Sequence, residues 1–326
     1  MPSILDQPPE DVAAELAALR TTLDGAIPAR AIDRNLLVAT WNLRAFSDLT
    51  EKWRSEANDS PKRDLHSLRC IAEIISRFDV VAIQESRANL KALRHMLKAL
   101  GPNWGLILTD VTEGAAGNGE RLAFIFDTRR VRPSGLACEL VVPEERLSKI
   151  GPDALRRQFA RTPYAVSFQA EGKTFILITL HVLYGKGSAD RVPELTAIAG
   201  WMAEWARDVN RWDHNLIVLG DFNIDRRNDE LHQAFTSTGL TVPGDLNHVP
   251  RTLWSDPEHP DLDKFYDQIA WFVDDAGAPM LSMKYLQGGS FDFSSHCLRD
   301  RDLSRDSLSW HISDHFPLWV EFGMRN

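Results

Sequence analysis

LIVLGDFN, residues 216–223, is the stretch whose reading decides the fold. Leu216 to Leu219 is a short apolar run with a β-branched centre, the pattern of a buried strand. It continues without a break into Asp221 and Asn223. A carboxylate at the end of an apolar strand is costly unless it is paired, hydrogen-bonded or bound to a metal. Working outward, the same conflict recurs. LLVATW (36–41) ends in Asn42, DVVAIQ (79–84) in Glu85 and FILITL (175–180) in His181. Phe265-Tyr266 leads to Asp267 and then QIAWF; Ile312-Ser313 leads to Asp314-His315 and then FPLWV. Each has a plain explanation when taken singly. A glutamate after a strand is a solvated loop residue, GDFN is a turn, and SDH is a helix cap or loop. Together they would need six unrelated explanations. One polar cleft where strand ends converge accounts for them all.

Composition bounds the class. The 326 residues are 44% hydrophobic and 25% charged, which fits a globular chain and excludes a disordered or low-complexity one. Length allows two domains or one large layered domain. Lys plus Arg is 37 and Asp plus Glu 46, so the formal charge is −9. That argues against a surface that is wholly a phosphate-binding field, while leaving room for a local basic groove. Cys70, Cys138 and Cys297 are odd in number and widely spaced. No CxxC pair or Cys/His metal spacing is present, which speaks against a disulfide framework and against a zinc site. No run of about 18 apolar residues exists, so no membrane span is expected. The first residues carry acids before any apolar run, unlike a signal peptide. The expectation is a soluble, reduced, cytoplasmic protein.

Strands and helices alternate along the chain. Val12, Leu16, Leu19 and Leu23 make one face of a short helix over residues 8–24. Pro28 interrupts after it, giving an N-terminal helical extension, 1–32, before a main domain, 33–326. Helices are expected at Leu65 to Phe78, at Leu90 to Leu100 and at Val192 to Val209. Strands are expected at Leu36 to Trp41, Asp79 to Gln84, Leu122 to Asp127, Tyr164 to Gln169, Phe175 to His181, Leu216 to Leu219, Gln268 to Val273 and Leu318 to Phe322. That mixture indicates a sheet core covered by helices. Gly244 to Lys264 and Gly288 to Ser309 read as long loops that choose the substrate. Arg129-Arg130 reads as a hairpin corner, Trp201 and Trp205 as packing, and Arg226-Arg227 as a contact to a nucleic-acid backbone or a solvated turn.

TWNLRAF (40–46), DVVAIQE (79–85), TLH (179–181), VLGDFN (218–223), YDQI (266–269) and ISDH (312–315) occur in that order. As an ordered set they resemble the endonuclease/exonuclease/phosphatase superfamily with its deoxyribonuclease I-like fold, over roughly Asn35 to Phe322. The resemblance implies an α/β four-layer sandwich of two packed mixed sheets flanked by helices. It also implies a magnesium- or manganese-dependent phosphoesterase. The finer resemblance is to the deoxyribonuclease I branch. Arg44 stands where apurinic endonucleases usually carry an acid, and Glu120-Arg121 and Arg161-Thr162-Pro163-Tyr164 precede their strands as in that branch. Phe265-Tyr266-Asp267-Gln268 departs from the Trp-Cys-Asp-Arg pattern of inositol polyphosphate phosphatases. Sphingomyelinases usually carry an aromatic residue at the place of Arg44.

A phosphodiester resists water because its oxygens repel a nucleophile and its leaving alkoxide is poor; a hard divalent cation counters both. Magnesium needs only one or two carboxylates. Glu85 is the first candidate ligand and Asp314 the second, with Asn42 beside them. The resemblance implies that Asp221 and Asn223 position the attacking water and contact a second metal. It pairs His315 with Asp267 and His181 with Glu120, one pair activating water and the other serving the departing oxygen. Asp221 competes as the base. Arg44 and Arg161 suit phosphate clamping, and Tyr184, three residues after His181, is either a donor to a phosphate oxygen or a packing or loop tyrosine. The expected substrate is DNA or RNA. The alternatives are a small phosphorylated metabolite or lipid headgroup, and an inactive binding protein on the same fold. A wide basic trough would suit a polymer and a closed pocket a small molecule. The N-terminal helix is a candidate contact for a protein partner.

Overall fold

The computed structural model describes residues 1–112, 117–140, 161–185, 187–210, 215–256 and 258–324. Two six-stranded mixed sheets pack face to face, with helices outside. The first runs β11 (Lys284–Ser290), β12 (Leu318–Gly323), β1 (Asn35–Phe46), β2 (Val80–Arg87), β4 (Glu120–Asp127), β3 (Trp104–Leu108). The second runs β5 (Arg132–Glu139), β6 (Tyr164–Ala170), β7 (Lys173–His181), β8 (Asn215–Asp221), β10 (Asp267–Phe272), β9 (Leu240–Thr241). Each sheet has one parallel pair at its centre, β1 with β2 and β7 with β8; every other pairing is antiparallel.

This topology builds the site. Parallel neighbours finish at the same end of a sheet. Asn42 pairs with Gln84 across β1 and β2, and His181 with Asp221 across β7 and β8. Antiparallel neighbours begin where those strands end. Asp267 opens β10 opposite Asp221, and Glu120 opens β4 opposite Arg87. Side chains from both sheets therefore arrive at one rim.

The core has two parts. Alternate residues of β1 point to opposite faces. Leu36 and Val38 face the second sheet, while Leu37, Ala39 and Trp41 face α1 (Glu10–Ala26), α2 (Leu65–Ile75) and α3 (Lys91–Leu100). The outer face of the second sheet is covered by α4 (Ser188–Asn210) and α5 (Glu230–Thr236), through Leu195, Ile198, Met202 and Phe235. The Val209 side chain lies outside the described residues. Trp201 and Trp205 stack at 6.0 Å against that layer, as the packing reading expects. Val12, Leu16, Leu19 and Leu23 of α1 are buried in the same core as α2, so the apolar stripe of this helix is covered within the molecule. A polar bridge crosses between the sheets beneath the rim: Gln84 Nε2 donates to Thr40 at 3.0 Å and to Thr179 at 2.9 Å.

Three expectations need correcting. Gly288 to Ser309 is not one loop: its start belongs to β11 and its end to α6 (Arg305–His311), whose first turn is capped by Ser304. Arg129-Arg130 is not a hairpin corner, because β4 and β5 lie in different sheets. There Arg130 pairs with Asp79 at 2.9 Å and Arg129 with Asp127 at 2.6 Å, closing the end of the sandwich remote from the rim. Four strands, β3, β5, β9 and β11, fall outside the sequence reading, and all four are short or lie at sheet edges. An edge strand pairs on one side only and tolerates Gly and Pro, as Pro133 and Gly135 of β5 illustrate, so it lacks the continuous apolar signal of a central strand.

Candidate active site

The rim encloses a cleft of about 510 Å³. Glu85, Glu120, Arg161, His181, Tyr184, Asp221, Asn223, Asp314 and His315 line it; Asn42 and Asp267 lie buried just beneath. Arg44 does not line it. Its guanidinium stacks on Trp310 at 4.0 Å, donates to the Ser309 hydroxyl and sits 3.6 Å from Asp314 Oδ2.

The backbone is bent at these positions. Arg44, Ala45, Glu85 and Asn223 all have φ between +31° and +59°, a region non-glycine residues adopt only when surrounding structure holds them there. Gly220 explains its own identity. Its φ is +145° and a Cβ there would lie 2.2 Å from the Leu180 carbonyl oxygen, so only glycine lets β8 pass β7 at the turn into Asp221.

Asn42 is the hub on the first sheet. Its amide nitrogen reaches Glu85 Oε1 at 3.1 Å and Asp221 Oδ2 at 3.0 Å. The Ala45 N–H donates to Glu85 Oε2 at 2.8 Å. Burial raises the Glu85 carboxyl, but the His181 charge, the Ala45 N–H and the Asn42 amide outweigh it and bring it to about 2. Glu85 is thus anionic at neutral pH.

Two acid–histidine contacts join the sheets. His181 Nδ1 is 2.8 Å from Glu120 Oε2, and His315 Nδ1 is 2.6 Å from Asp267 Oδ2. Each contact fixes the ring so that Nε2 faces Asp221 Oδ2, at 3.5 Å from His181 and 3.9 Å from His315. Burial alone would lower both imidazoles. Glu120 and Asp221 raise His181 instead, and Asp267 and Asp221 hold His315 well above the ordinary value. Burial pushes Asp267 up to about 6, against the pull of His315. Asp221 Oδ1 accepts from the Asn223 N–H at 2.9 Å, and the Asn223 amide is aimed by the Val182 carbonyl at 2.7 Å. Arg161 grips Glu120 at 2.6 and 3.0 Å, so its charge first serves that carboxylate. Tyr184 is 53% exposed at the rim, edge-on to Tyr266.

The fit of a hard cation can be tested on the acids themselves. Asp314 Oδ1 is buried without a hydrogen-bond partner, an arrangement that is costly unless something positive meets it. Glu85 and Asp314, with Asn42 between Glu85 and Asp221, form an oxygen-rich set that suits magnesium or manganese.

Sequence reasoning missed the residues that hold the loops. Arg63 donates to the carbonyls of Leu43 (2.9 Å), Arg44 (3.0 Å) and Ile312 (2.9 Å), tying the Asn42 turn to the Asp314 turn. Arg191 donates to the Asn223 carbonyl at 2.5 Å and pairs with Asp225. Arg251 donates to the Asp267 carbonyl at 2.7 Å and to the Leu246 carbonyl at 2.7 Å. All three are buried, and an arginine in a polar stretch carries no sequence signal that separates it from a solvated one. Arg226 is engaged with its own turn through the Asp225 carbonyl, and Arg227 is exposed. Trp254 and Lys264 also reach the rim, from a stretch whose sequence pattern shows only a loop.

With fold and geometry in hand, the comparisons agree. The model of the Endonuclease/Exonuclease/phosphatase family matches residues 39–315, and the chain belongs to that family. It is 28% identical over 209 residues to a deoxyribonuclease of Thioalkalivibrio sp. (strain K90mix), covering 62% of this chain and 50% of that one. It is 27% identical over 216 residues to deoxyribonuclease-1 of Canis lupus familiaris, covering 64% of each. The chain thus spans about half to two thirds of the length of these relatives. Among solved structures, a mannosyl-6-phosphatase of Bacteroides thetaiotaomicron superposes with a TM-score of 0.57 at 21% identity, over 88% of this chain and 99% of that one, which speaks to fold alone. Among the described residues, no helix is long and apolar enough to cross a membrane.

Proposed function

We propose that the protein is a divalent-metal-dependent phosphodiesterase that hydrolyses DNA or RNA. The observation that carries this reading is the convergence on Asp221: both histidine Nε2 atoms and the Asn42 amide lie within 3.9 Å of its Oδ2, beside Glu85. Glu85, steadied by Asn42, and Asp314 would hold magnesium or manganese. When bound, the ion supplies positive charge that draws off the phosphate's negative charge and eases loss of the alkoxide. Asp221, with Asn223 at its side, orients the attacking water and takes its proton. His181 and His315, each propped by a carboxylate, present Nε2–H to phosphate oxygens, and one of them gives its proton to the leaving oxygen. Glu120 and Asp267 hold the rings; Arg161 holds Glu120. Tyr184 donates from the open side.

A polymer is favoured over a small ester by what adjoins the cleft. Arg87 lines the cleft, and from the next residue a groove of about 840 Å³ runs along α3, lined by Lys91, Arg94, His95, Lys98 and Arg121. In a chain of net charge −9, this gathers basic side chains beside the site; Lys91 and Arg121 are partly engaged by Glu51 and Asp110, while Arg94 and Lys98 are exposed. The decisive experiment is cleavage of plasmid and of single-stranded DNA and RNA with Mg²⁺ or Mn²⁺, abolished by EDTA and by His181→Ala. Turnover of small phosphoesters with every nucleic acid left intact would replace this reading with a phosphatase.

A further inference from the structure

A second cluster of metal-binding side chains lies outside the cleft, where α1 meets α2 and the segment after β11. His66 and Cys70 are one helical turn apart on α2 and so share a face. Glu15 of α1 brings Oε1 to 3.2 Å from His66 Nε2, and the donor atoms of Glu15, His66 and Cys70 all lie within 4.8 Å of one another. Cys297 lies nearby but is not among the three donors that close on one another. His66 and Cys70 are fully buried and Cys297 nearly so.

His66 is the telling member. Its Nε2 is buried and makes no hydrogen bond, although the Glu15 carboxylate is 3.2 Å away. The two atoms are close but misaligned for an N–H···O bond. Close, unaligned donor atoms are what two corners of a coordination tetrahedron look like: ligands about 2.0 Å from a zinc ion sit roughly 3.3 Å apart. Glu15 is itself fixed in place, accepting from the N–H groups of Leu298 and Arg299.

We propose that Glu15, His66 and Cys70 form a binding site for a thiophilic divalent metal, zinc by ligand chemistry. One sulfur, one imidazole nitrogen and one carboxylate oxygen supply three corners of a tetrahedron. The ion fastens the N-terminal helix to α2. The hard-cation preference of the cleft, with its oxygen ligands, is chemically distinct. Coordination through Nε2 places a proton on His66 Nδ1, which now faces Arg301 Nη2 at 3.1 Å. Arg301 then keeps its Asp64 and Trp53 carbonyl contacts, at 2.6 and 3.2 Å, and releases the ring. No local pattern announces this site, because Glu15 lies some fifty residues from His66 and Cys70.

The test uses the full chain, purified with reductant. Elemental analysis after gel filtration in excess Mg²⁺ is expected to find one equivalent of zinc. Replacement by Co²⁺ is expected to give a sulfur-to-cobalt charge-transfer band, which oxygen ligands in the cleft cannot produce. The band is expected to vanish in Cys70→Ser and to persist in Cys138→Ser. Zinc is also expected to raise the thermal midpoint of the native protein, so the proposal stays testable if Cys70→Ser does not fold. No thiolate band in native protein, or a band that survives in Cys70→Ser, would overturn it.

Discussion

Gln84 of the first sheet donates to Thr179 of the second across 2.9 Å, one residue before Glu85 and two before His181. The bond joins the halves that must bring Asn42 and Asp221 within 3.0 Å. Gln84→Leu leaves the buried Thr40 and Thr179 hydroxyls without their shared partner, which costs roughly 1–3 kcal/mol. Denaturant unfolding should show that loss, and activity per folded molecule should fall with it. An unchanged midpoint would mean that the sheets register without this bridge.

His181→Ala and His315→Ala should each lower kcat by roughly 10²–10⁴-fold with little change in KM, because each removes a group needed in the transition state. Glu120→Gln should have a smaller effect, since it loosens a ring and removes no reacting atom. Steady-state kinetics on an oligonucleotide reads the difference.

Asn42→Ala removes the amide that steadies Glu85. The Mg²⁺ concentration giving half-maximal rate should rise roughly 10–100-fold, the usual effect of losing a group that orients a ligand. A metal titration with the wild type alongside decides it. Unchanged metal demand would detach Glu85 from the ion.

Arg94→Glu and Lys98→Glu, both exposed on α3, should raise KM for long nucleic acid and leave turnover of a small phosphodiester unaffected. For every phosphate that the protein no longer neutralises, the plot of log binding constant against log salt should flatten by about 0.7–0.9. Binding measured in EDTA separates this effect from chemistry. Equal slopes would mean that substrate leaves the cleft by another path.

Burial brings the His311 imidazole down to about 4, with Asp64 pulling the other way. The folded state therefore binds fewer protons than the unfolded state between roughly pH 4 and pH 6.5. This stabilising share is present above the unfolded value and is lost as pH falls toward 4, on the order of 3 kcal/mol in full. Unfolding at pH 7 and pH 5 should show a decline that is shallower in His311→Gln. Parallel declines would assign the pH dependence to other groups.

The central strands are legible because a polar residue at the end of an apolar run is a contradiction that sequence alone exposes. Asn42, Glu85, His181, Asp221, Asp267 and the Asp314-His315 pair all stand out that way, and the structure brings them to one rim. What escapes are groups without a contradiction. Arg63, Arg191 and Arg251 satisfy backbone carbonyls deep in the molecule, yet in sequence they look like any solvated cation. The stacking of Arg44 on Trp310 escapes too, because no local pattern connects two residues so far apart in sequence.

The two sheets carry their strands in the same sequence of directions, each with one parallel pair at the middle. Neither half holds a complete set of reactive groups; they exist as a set only along the seam. Sliding one half past the other by a single residue, about 3.3 Å, would leave both halves intact and the chemistry dismantled. Alignment along that seam is therefore a more sensitive reporter of damage to this protein than any measure of how much of it is folded.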